Sequence, residues 1–310
     1  MERVMRDKKA VFLFLFPSFA LFTVIVIVPV FMSAYYSLNM WNGIGDKVFI
    51  GLNNYIRLLS DQQFLNSAKN TLAIVAASVA IQLPLSLLLA LVLAYKAKGE
   101  RFFVTVYFIP VILSAVVIGQ LWMRIYNPSH GLLNLLLRTV GLAELGKTAW
   151  LGNIGTVMAS VLVPILWQYV GYHMLLFYSG IKSISTDIFE AVKIDGASFW
   201  RTSFKITIPL LKPIILVSLT FAVTGSMKVY DLVRVLTYDG GPGRASDVMS
   251  TLLVRTMIYP GDNYGYGSSM AIVLIAVCFM LYFLLARLFR EKEEAAKRHR
   301  HRRLWQLRQL

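Results

Sequence analysis

The sequence is short of charge and nearly devoid of cysteine. Asp, Glu, Lys and Arg make up 15% of its 310 residues while 57% are apolar; a typical soluble domain is about 45–50% apolar and roughly 25% charged. Too little polar surface is present to cover a globule of this size, so lipid is the implied solvent and a soluble one- or two-domain enzyme is excluded. The single cysteine, Cys278, lies in an apolar run. It excludes a disulfide framework and a cysteine metal cluster. Acids are scarce beside bases, 16 against 31, giving a net charge of +15. That excess does not point to nucleic acid, because no charge-rich stretch is long enough to form the polar domain such binding needs.

What is present is a series of long uncharged runs: Ala10–Gly45, Asn70–Tyr95, Phe102–Met123, Thr148–Ile181, Pro213–Met227 and Asn263–Ala286. A helix needs about 20 mainly apolar residues to cross the hydrocarbon. Five runs meet that unaided. The fifth in order does so only by extending back through Ile206–Leu211, with Lys212 snorkelling, or forward toward Tyr230. The expectation is an all-α, polytopic membrane protein with six helices at about 11–35, 71–95, 102–123, 154–178, 208–230 and 266–287. The first run follows Arg3, Arg6, Lys8 and Lys9 like a secretory signal, but it is too long for that and no A-x-A-like site follows Tyr35. It reads as a retained helix.

With the N-terminus inside, the inner segments carry 21 of the 31 basic residues and a net charge of +12, the outer loops +3. The bias places both termini in the cytoplasm: residues 1–9 as a short N-terminal stretch, 10–289 as the membrane domain and 290–310 as a basic tail. Such a chain fits a channel, a secondary transporter, an ATP-driven permease or a membrane enzyme.

Several motifs can be set aside. Gly141 to Thr148 matches G-x-x-x-x-G-K-[ST], but it stands between the third and fourth helices on the outer side with no α/β domain around it, so it is a chance match. His299 and His301 belong to the basic tail, His130 to an outer loop. His173 alone lies in a membrane run, where a satisfied buried polar group is the plainer reading than a metal ligand. The first four runs and the sixth hold no acid or base. Lys228, Asp231 and Arg234 share one helical face at the outer end of helix five, where an i,i+3 ion pair explains them. An ion-coupled carrier usually needs intramembrane carboxylates or broken helices. An external energy source is therefore preferred. A membrane enzyme is disfavoured by the lack of paired carboxylates or a nucleophile beside a base.

One inward-facing segment, residues 182–212, is informative. It reads as a short helix that Asp187 can cap, with Glu190 three residues on in a capping-box-like relation, then a break at Gly196 and a second helix that stops before proline. Ile188 with Val192, and Phe204 with Ile208, give apolar stripes at i,i+4 spacing. An amphipathic hairpin of this kind either lies on lipid or docks into a groove on a cytoplasmic partner.

Glu190-Ala191-x-x-x-Asp195-Gly196-Ala197, followed by Phe204, an isoleucine and then Pro209 and Pro213, resembles the EAA loop of binding-protein-dependent ABC transporter permeases. The chain departs from the usual pattern at Val192, where a second alanine is common, and at Ser185, where proline often precedes the helix. Further segments are similar to the carbohydrate branch, the maltose- and glycerol-phosphate-type permeases: Gly51–Tyr55, Trp122–Asn134, Trp167 with Gly171, and Leu236-Thr237 leading to Gly240-Gly241-Pro242. The last has Tyr238 and Asp239 where one residue is usual.

The resemblance implies the architecture of a type I ABC importer permease in the cytoplasmic membrane of a prokaryote. It implies a second permease subunit, a pair of ABC ATPases that hold the ATP and magnesium, and an extracytoplasmic solute-binding protein; no cofactor and no covalent chemistry are expected in this chain. Glu190, Ala191, Asp195, Gly196 and Ala197 become the coupling residues that fit a cleft on the ATPase. A sugar pathway needs hydrogen-bonding groups and aromatic faces. Trp167, Gln168, Tyr169, Tyr172 and His173 on helix four, with Thr224, Ser226 and Tyr230 on helix five, supply both, and Gly171 and Gly225 would allow close approach. A self-contained secondary transporter or channel for a small polar solute is the alternative.

Overall fold

Where prolines fall inside apolar helices, they set much of the backbone's irregularity. The computed structural model describes residues 8–96, 98–258 and 264–307. Three times a five-residue π turn ends two residues before a proline: Thr23–Ile27 before Pro29, Ser78–Gln82 before Pro84, and Ser203–Thr207 before Pro209. Proline offers no N–H to the carbonyl four residues back and its ring collides with that carbonyl. Widening the turn moves the carbonyl aside, and the helix continues without a sharp break.

Residues up to Leu65 together with Leu252–Ala276 form one compact unit. Its first helices, α1 (Lys8–Phe22) and α2 (Val28–Ser37), join through their π turn into a 26-residue apolar span, Phe12–Ser37. After it, β1 (Asn39–Met40) pairs antiparallel with β2 (Val48–Phe49), Asn39 opposite Phe49. The Gly51–Tyr55 stretch opens α3 (Asn53–Ser60) and is more than a plain loop. Buried Asn54 donates through Nδ2 to the Ser37 and Asn39 carbonyls at 2.8 and 3.0 Å, closing the helix end that leads into β1. Tyr266, in the start of the last helix, donates its hydroxyl to Asp61 at 2.5 Å, under the Arg57 guanidinium.

Asn66–Thr251, with the segment from Val277 onward, forms the other unit. Here α4 (Gln62–Ala77) and α5 (Leu83–Lys96) continue through their π turn as the second span, Gln62–Tyr95. The fourth, α9 (Ile154–Lys182), is an unbroken 29 residues despite Pro164, and packs on α5 and on α6 (Glu100–Ile112). The sixth, α16 (Tyr264–Leu307), supplies the apolar stretch Tyr264–Leu285 and carries the backbone of the basic tail onward. The first seven residues and the last three, expected as parts of the N-terminal stretch and the tail, lie outside the described residues, as do the side chains of His299 and His301.

The third and fifth expected spans are not straight. Four helices are individually long and apolar enough to cross a membrane, and the count reaches six when two bent pairs each count as one span. In the third, α6 and α7 (Ala115–Ile125) meet at 99°. Leu113 and Ser114 are extended, and the Ser114 hydroxyl accepts the Val117 N–H to cap α7 afresh. In the fifth, the segment Phe199–Leu210 meets α13 (Lys212–Met227) at 74°, the new helix starting with Pro213 in its first turn. The core of this unit gathers Ile74, Ile118, Val161, Ile165, Val233 and Val248.

α13 ends at Met227, and Tyr230 has left helical geometry before α14 (Asp231–Thr237) begins. Lys228 therefore does not share a helical face with Asp231 and Arg234, as the spacing suggested. Arg234 instead donates to the Tyr238 carbonyl at 2.8 Å and lies over the Tyr238 ring. The extra residue before Gly240-Gly241-Pro242 is absorbed there: Tyr238 takes a positive φ of 49°. The Ser246 hydroxyl and N–H both donate to the Gly240 carbonyl to close the loop. Asn70 fastens that loop to the second span through the Ala245 and Asp247 carbonyls, both at 2.8 Å.

Candidate functional site

Two places in the second unit bring polar chemistry together: the hairpin after α9 and a cavity between the spans. In the hairpin, α10 (Thr186–Ile194) is capped by Ser185, whose hydroxyl accepts the Asp187 N–H at 3.3 Å. The cap is thus two residues earlier than expected at Asp187. Asp187 lies inside the first turn, where its charge meets the positive end of the helix. Ser185 occupies the place where proline is usual and does the capping itself, a contribution of about 1 kcal/mol. The far end behaves as read. Gly196 has φ +64°, its N–H donates to the Lys193 carbonyl at 3.1 Å and that of Ala197 to Val192 at 3.2 Å, the paired bonds of a Schellman motif.

Of the residues expected to meet a partner ATPase, Glu190, Ala191, Asp195 and Gly196 are all exposed, and Ala197 is partly so. Val192 faces inward, whereas Ile194 is 87% exposed and was not singled out by periodicity. In the second helix the polar face is the buried one: Thr202, Ser203 and Thr207 are buried and Phe204 is exposed, stacked on exposed Trp200 at 6.0 Å. This helix also runs past Pro209 to Leu210 before stopping ahead of Pro213. The hairpin therefore offers outward a band of apolar side chains beside the carboxylates of Asp187, Glu190 and Asp195.

Tyr95, at the C-terminal end of the second span, ties the hairpin to the neighbouring helices. Its ring receives Phe189 and Phe199 edge-on at 5.3 and 5.5 Å, one from each hairpin helix. Its hydroxyl hydrogen-bonds Thr207 in the π turn. A space of about 520 Å3 lies alongside, lined by Ala94, Tyr95, Ile181, Phe189 and Lys193 among others. At its edge Lys182 pairs with Glu100 at 2.9 Å. Nothing in the sequence pattern marked Tyr95, because its role depends on two helices a hundred residues later.

The second place is a cavity of about 380 Å3. Of the expected pathway residues, Tyr169, Tyr172, His173, Thr224 and Ser226 line it, with Gly225. Trp167, Gly171 and Tyr230 do not. Trp167 packs edge-on against Trp122 at 5.8 Å. Gly171 lies where a Cβ would collide with the Tyr107 carbonyl, so it serves the close approach of α9 to α6. Buried Gln168 is likewise not among the lining residues. His173 is buried with Nδ1 at 2.7 Å from the Ser218 hydroxyl, a satisfied polar pair between α9 and α13. Ser78 and Gln82, which no sequence pattern marked, reach the cavity from the second span's π turn, and Lys228 also lines it. Ser226 donates to Ser78 at 3.0 Å across it. A proline six residues after Ser78 was the available signal.

The P-loop-like stretch is built unlike a phosphate cradle. The N–H groups of Gly146, Lys147 and Thr148 are spent on the carbonyls of Leu142, Glu144 and Leu145, and Lys147 pairs with Glu144 at 2.7 Å. Among the described residues, no group of three or more His, Cys, Asp or Glu could hold a metal ion.

Apolar membrane-length helices, a cavity lined by both polar and apolar side chains, and an exposed helical hairpin beyond the fourth span point to a membrane transport component. The chain belongs to the family of binding-protein-dependent transport system inner membrane components, whose model matches residues 82–293. It is 37% identical over 294 residues to the probable ABC transporter permease protein YurN of Bacillus subtilis (strain 168), covering 94% of this chain and 99% of that one. It is 31% identical to the trehalose/maltose transport system permease protein MalF of Thermococcus litoralis, covering 92% and 96%. The fold matches that of a chain from the crystal structure of a bacterial ABC transporter involved in the import of the acidic polysaccharide alginate. The TM-score is 0.79 at 23% identity, over 94% of this chain and 98% of that one. The protein is accordingly a multi-pass inner membrane transport component.

Proposed function

We propose that this chain is one permease subunit of an ATP-driven importer for a saccharide, working with a second permease, a pair of ATPases and an extracytoplasmic binding protein. The observation that carries the reading is the hairpin, where Glu190, Asp195, Ile194 and Trp200 stand exposed on a capped, rigid element that the bundle holds through Tyr95. Exposed apolar side chains beside carboxylates suit a protein cleft better than water. Relatives whose names specify trehalose and maltose, and diacetylchitobiose, support a carbohydrate cargo. Both termini are cytoplasmic in this reading, which the excess of Lys and Arg on the segments assigned to the inner side supports.

Each part then has a task. ATP and magnesium act on the partner ATPases, and their closure moves the hairpin. Tyr95 passes that movement to the second span, and the cavity between α9 and α13 is exposed alternately to the two sides. Within it Tyr169 and Tyr172 supply aromatic faces, while Ser226, Thr224, Gln82 and Lys228 supply hydrogen-bonding groups that replace water around sugar hydroxyls. Weak, generic contacts suit a step that must release its cargo.

The test is reconstitution. Complexes isolated through a tag on this chain should contain an ATPase, and vesicles holding them should take up sugar only with ATP and the binding protein. Uptake by this chain alone, driven by a solute or ion gradient, would establish a self-contained carrier instead.

A further inference from the structure

The polar groups of the cavity between the spans fall into two sets. One set is committed within the chain. Ser226 donates to Ser78 at 3.0 Å, Thr224 to the Thr220 carbonyl at 2.8 Å, and the His173 ring bonds the Ser218 hydroxyl at 2.7 Å. The other set has no partner. Gln82 is only 2% exposed, yet its carboxamide makes no hydrogen bond among the described residues. Lys228 is exposed, and its ammonium makes neither a hydrogen bond nor an ion pair among them. Both residues line the same space of about 380 Å3.

Each unpartnered group calls for a different ligand chemistry. A buried carboxamide in a spanning segment costs free energy until its N–H groups and oxygen are bonded, and sugar hydroxyls, which both donate and accept, meet that need. Hydroxyls can also bond an ammonium, but they leave its charge uncompensated. The plain explanation of a lysine at this position is the end of α13, where cations are favoured. Yet the Gly225 and Ser226 carbonyls accept the backbone N–H of Lys228, and its Nζ reaches no carbonyl. Nor does a carboxylate neutralise it. No Asp or Glu is among the described residues lining the cavity, and Asp231, close enough to act on Tyr169, forms no ion pair with Lys228. Val111, Ile165, Phe221 and Val229 make much of the wall apolar, which strengthens the attraction of a lone cation for an anion. We propose that the cavity takes an acidic saccharide, one bearing a carboxylate or a phosphate, with Lys228 bonding the anionic group and Gln82 the hydroxyls. This inference rests on the reading of the chain as the permease of a saccharide importer, and it narrows the cargo.

Saturation-transfer NMR tests this on the complex isolated through a tag on this chain and held in nanodiscs without the binding protein. The probes are digalacturonate and glucose 6-phosphate, set against their neutral counterparts digalactose and glucose. At least one acidic probe should receive saturation where its neutral counterpart receives little. Digalacturonate alone would identify the anionic group as a carboxylate, glucose 6-phosphate alone as a phosphate. Affinity for the bound probe should fall about tenfold in K228Q, the loss expected when one charge-assisted hydrogen bond goes, and return in K228R. Q82L should weaken the same probe without removing its preference over the neutral counterpart. Equal signals from acidic and neutral probes, binding of neither acidic probe, or a K228Q complex that holds the acidic probe as the parent does would each overturn the proposal. ATP-dependent uptake by the same complexes with the binding protein separates this inference from the reading beneath it. Neutral saccharide uptake that is unchanged in K228Q would remove the acidic cargo and leave the saccharide permease standing. No uptake of any saccharide would remove both.

Discussion

Gly171 and Gly196 are both glycines of necessity, for opposite reasons. Gly171 sits in ordinary helical geometry inside the bundle, and a Cβ there would run into the Tyr107 carbonyl of a neighbouring span. Gly196 sits at φ +64° on the hairpin with open space around it. The bundle interior is thus constrained by what surrounds each residue, the hairpin by its own backbone. An interior constraint protects packing and answers to volume; a hairpin constraint protects an exposed shape and answers to conformation. The sharpest way to break the contrast is to replace each glycine and read folding and transport separately.

The largest effect is expected at Gly171. Valine there forces two helices apart, because the obstacle is backbone and cannot rotate away. Overpacking typically costs about 1–3 kcal/mol where side chains can adjust, and here they cannot, so G171V should lose the folded complex from the membrane. The measurement is the amount of monodisperse complex recovered by detergent size-exclusion. Recovery at the parental level would show that α6 and α9 do not approach so closely.

The hairpin should fail differently. Replacing Glu190 by alanine and Gly196 by valine together should reduce uptake to background while membrane insertion and recovery persist. A left-handed residue costs a non-glycine roughly 1–2 kcal/mol, and the open surroundings add no clash. G196N, which tolerates that conformation better, should retain uptake in the Glu190 background. If the asparagine variant fails as completely as the valine one, backbone conformation is not what Gly196 provides.

This division also decides what could be read from the chain. The hairpin is local: Glu190 to Ala197 lie within a few turns of one another, so a fixed-offset pattern carries the whole device, and only the cap moved, from Asp187 to Ser185. The cavity is not local. Tyr169, Tyr172 and Ser226 were recognised as polar and aromatic groups in apolar runs. Trp167, Gly171 and Tyr230 looked equally suitable; the rotation of α9 about its axis turns the first two away, and Tyr230 falls past the end of α13. Ser78 and Gln82 were invisible for a further reason. They face the cavity through a π turn, and a 3.6-residue period predicts the wrong face once a turn is widened. The bends at Leu113 and Leu211 escaped because hydropathy counts residues and is blind to direction. Pro110, Ser114 and Pro213 were the local marks available.

Between the two regions stands Tyr95, and its removal should give an intermediate result. Y95F keeps both edge-on ring contacts, to Phe189 and Phe199, and loses the hydrogen bond to Thr207. One such bond contributes about 0.5–1.5 kcal/mol, too little to unfold the protein. Transport per ATP hydrolysed should fall while ATPase activity and recovery hold, because the hairpin still docks but its movement is passed on less faithfully. A parallel loss of ATPase activity and transport would place the defect in docking and remove Tyr95 from the path between the two regions.

The smallest effect belongs to Lys147, which matches the position of a phosphate-binding lysine and lies in neither region. Its ammonium meets Glu144 in an exposed i,i+3 pair, an arrangement worth no more than about 1 kcal/mol. The surrounding N–H groups, which a phosphate would need, close the turn at Leu145–Lys147. K147A should therefore leave ATP-dependent uptake, thermal stability and nucleotide binding by the complex at parental values. A loss of nucleotide binding would mean that the turn opens to free those groups. The segment around Lys147 would then join the bundle interior and the hairpin as a third functional region, and the two-way contrast would no longer describe the protein.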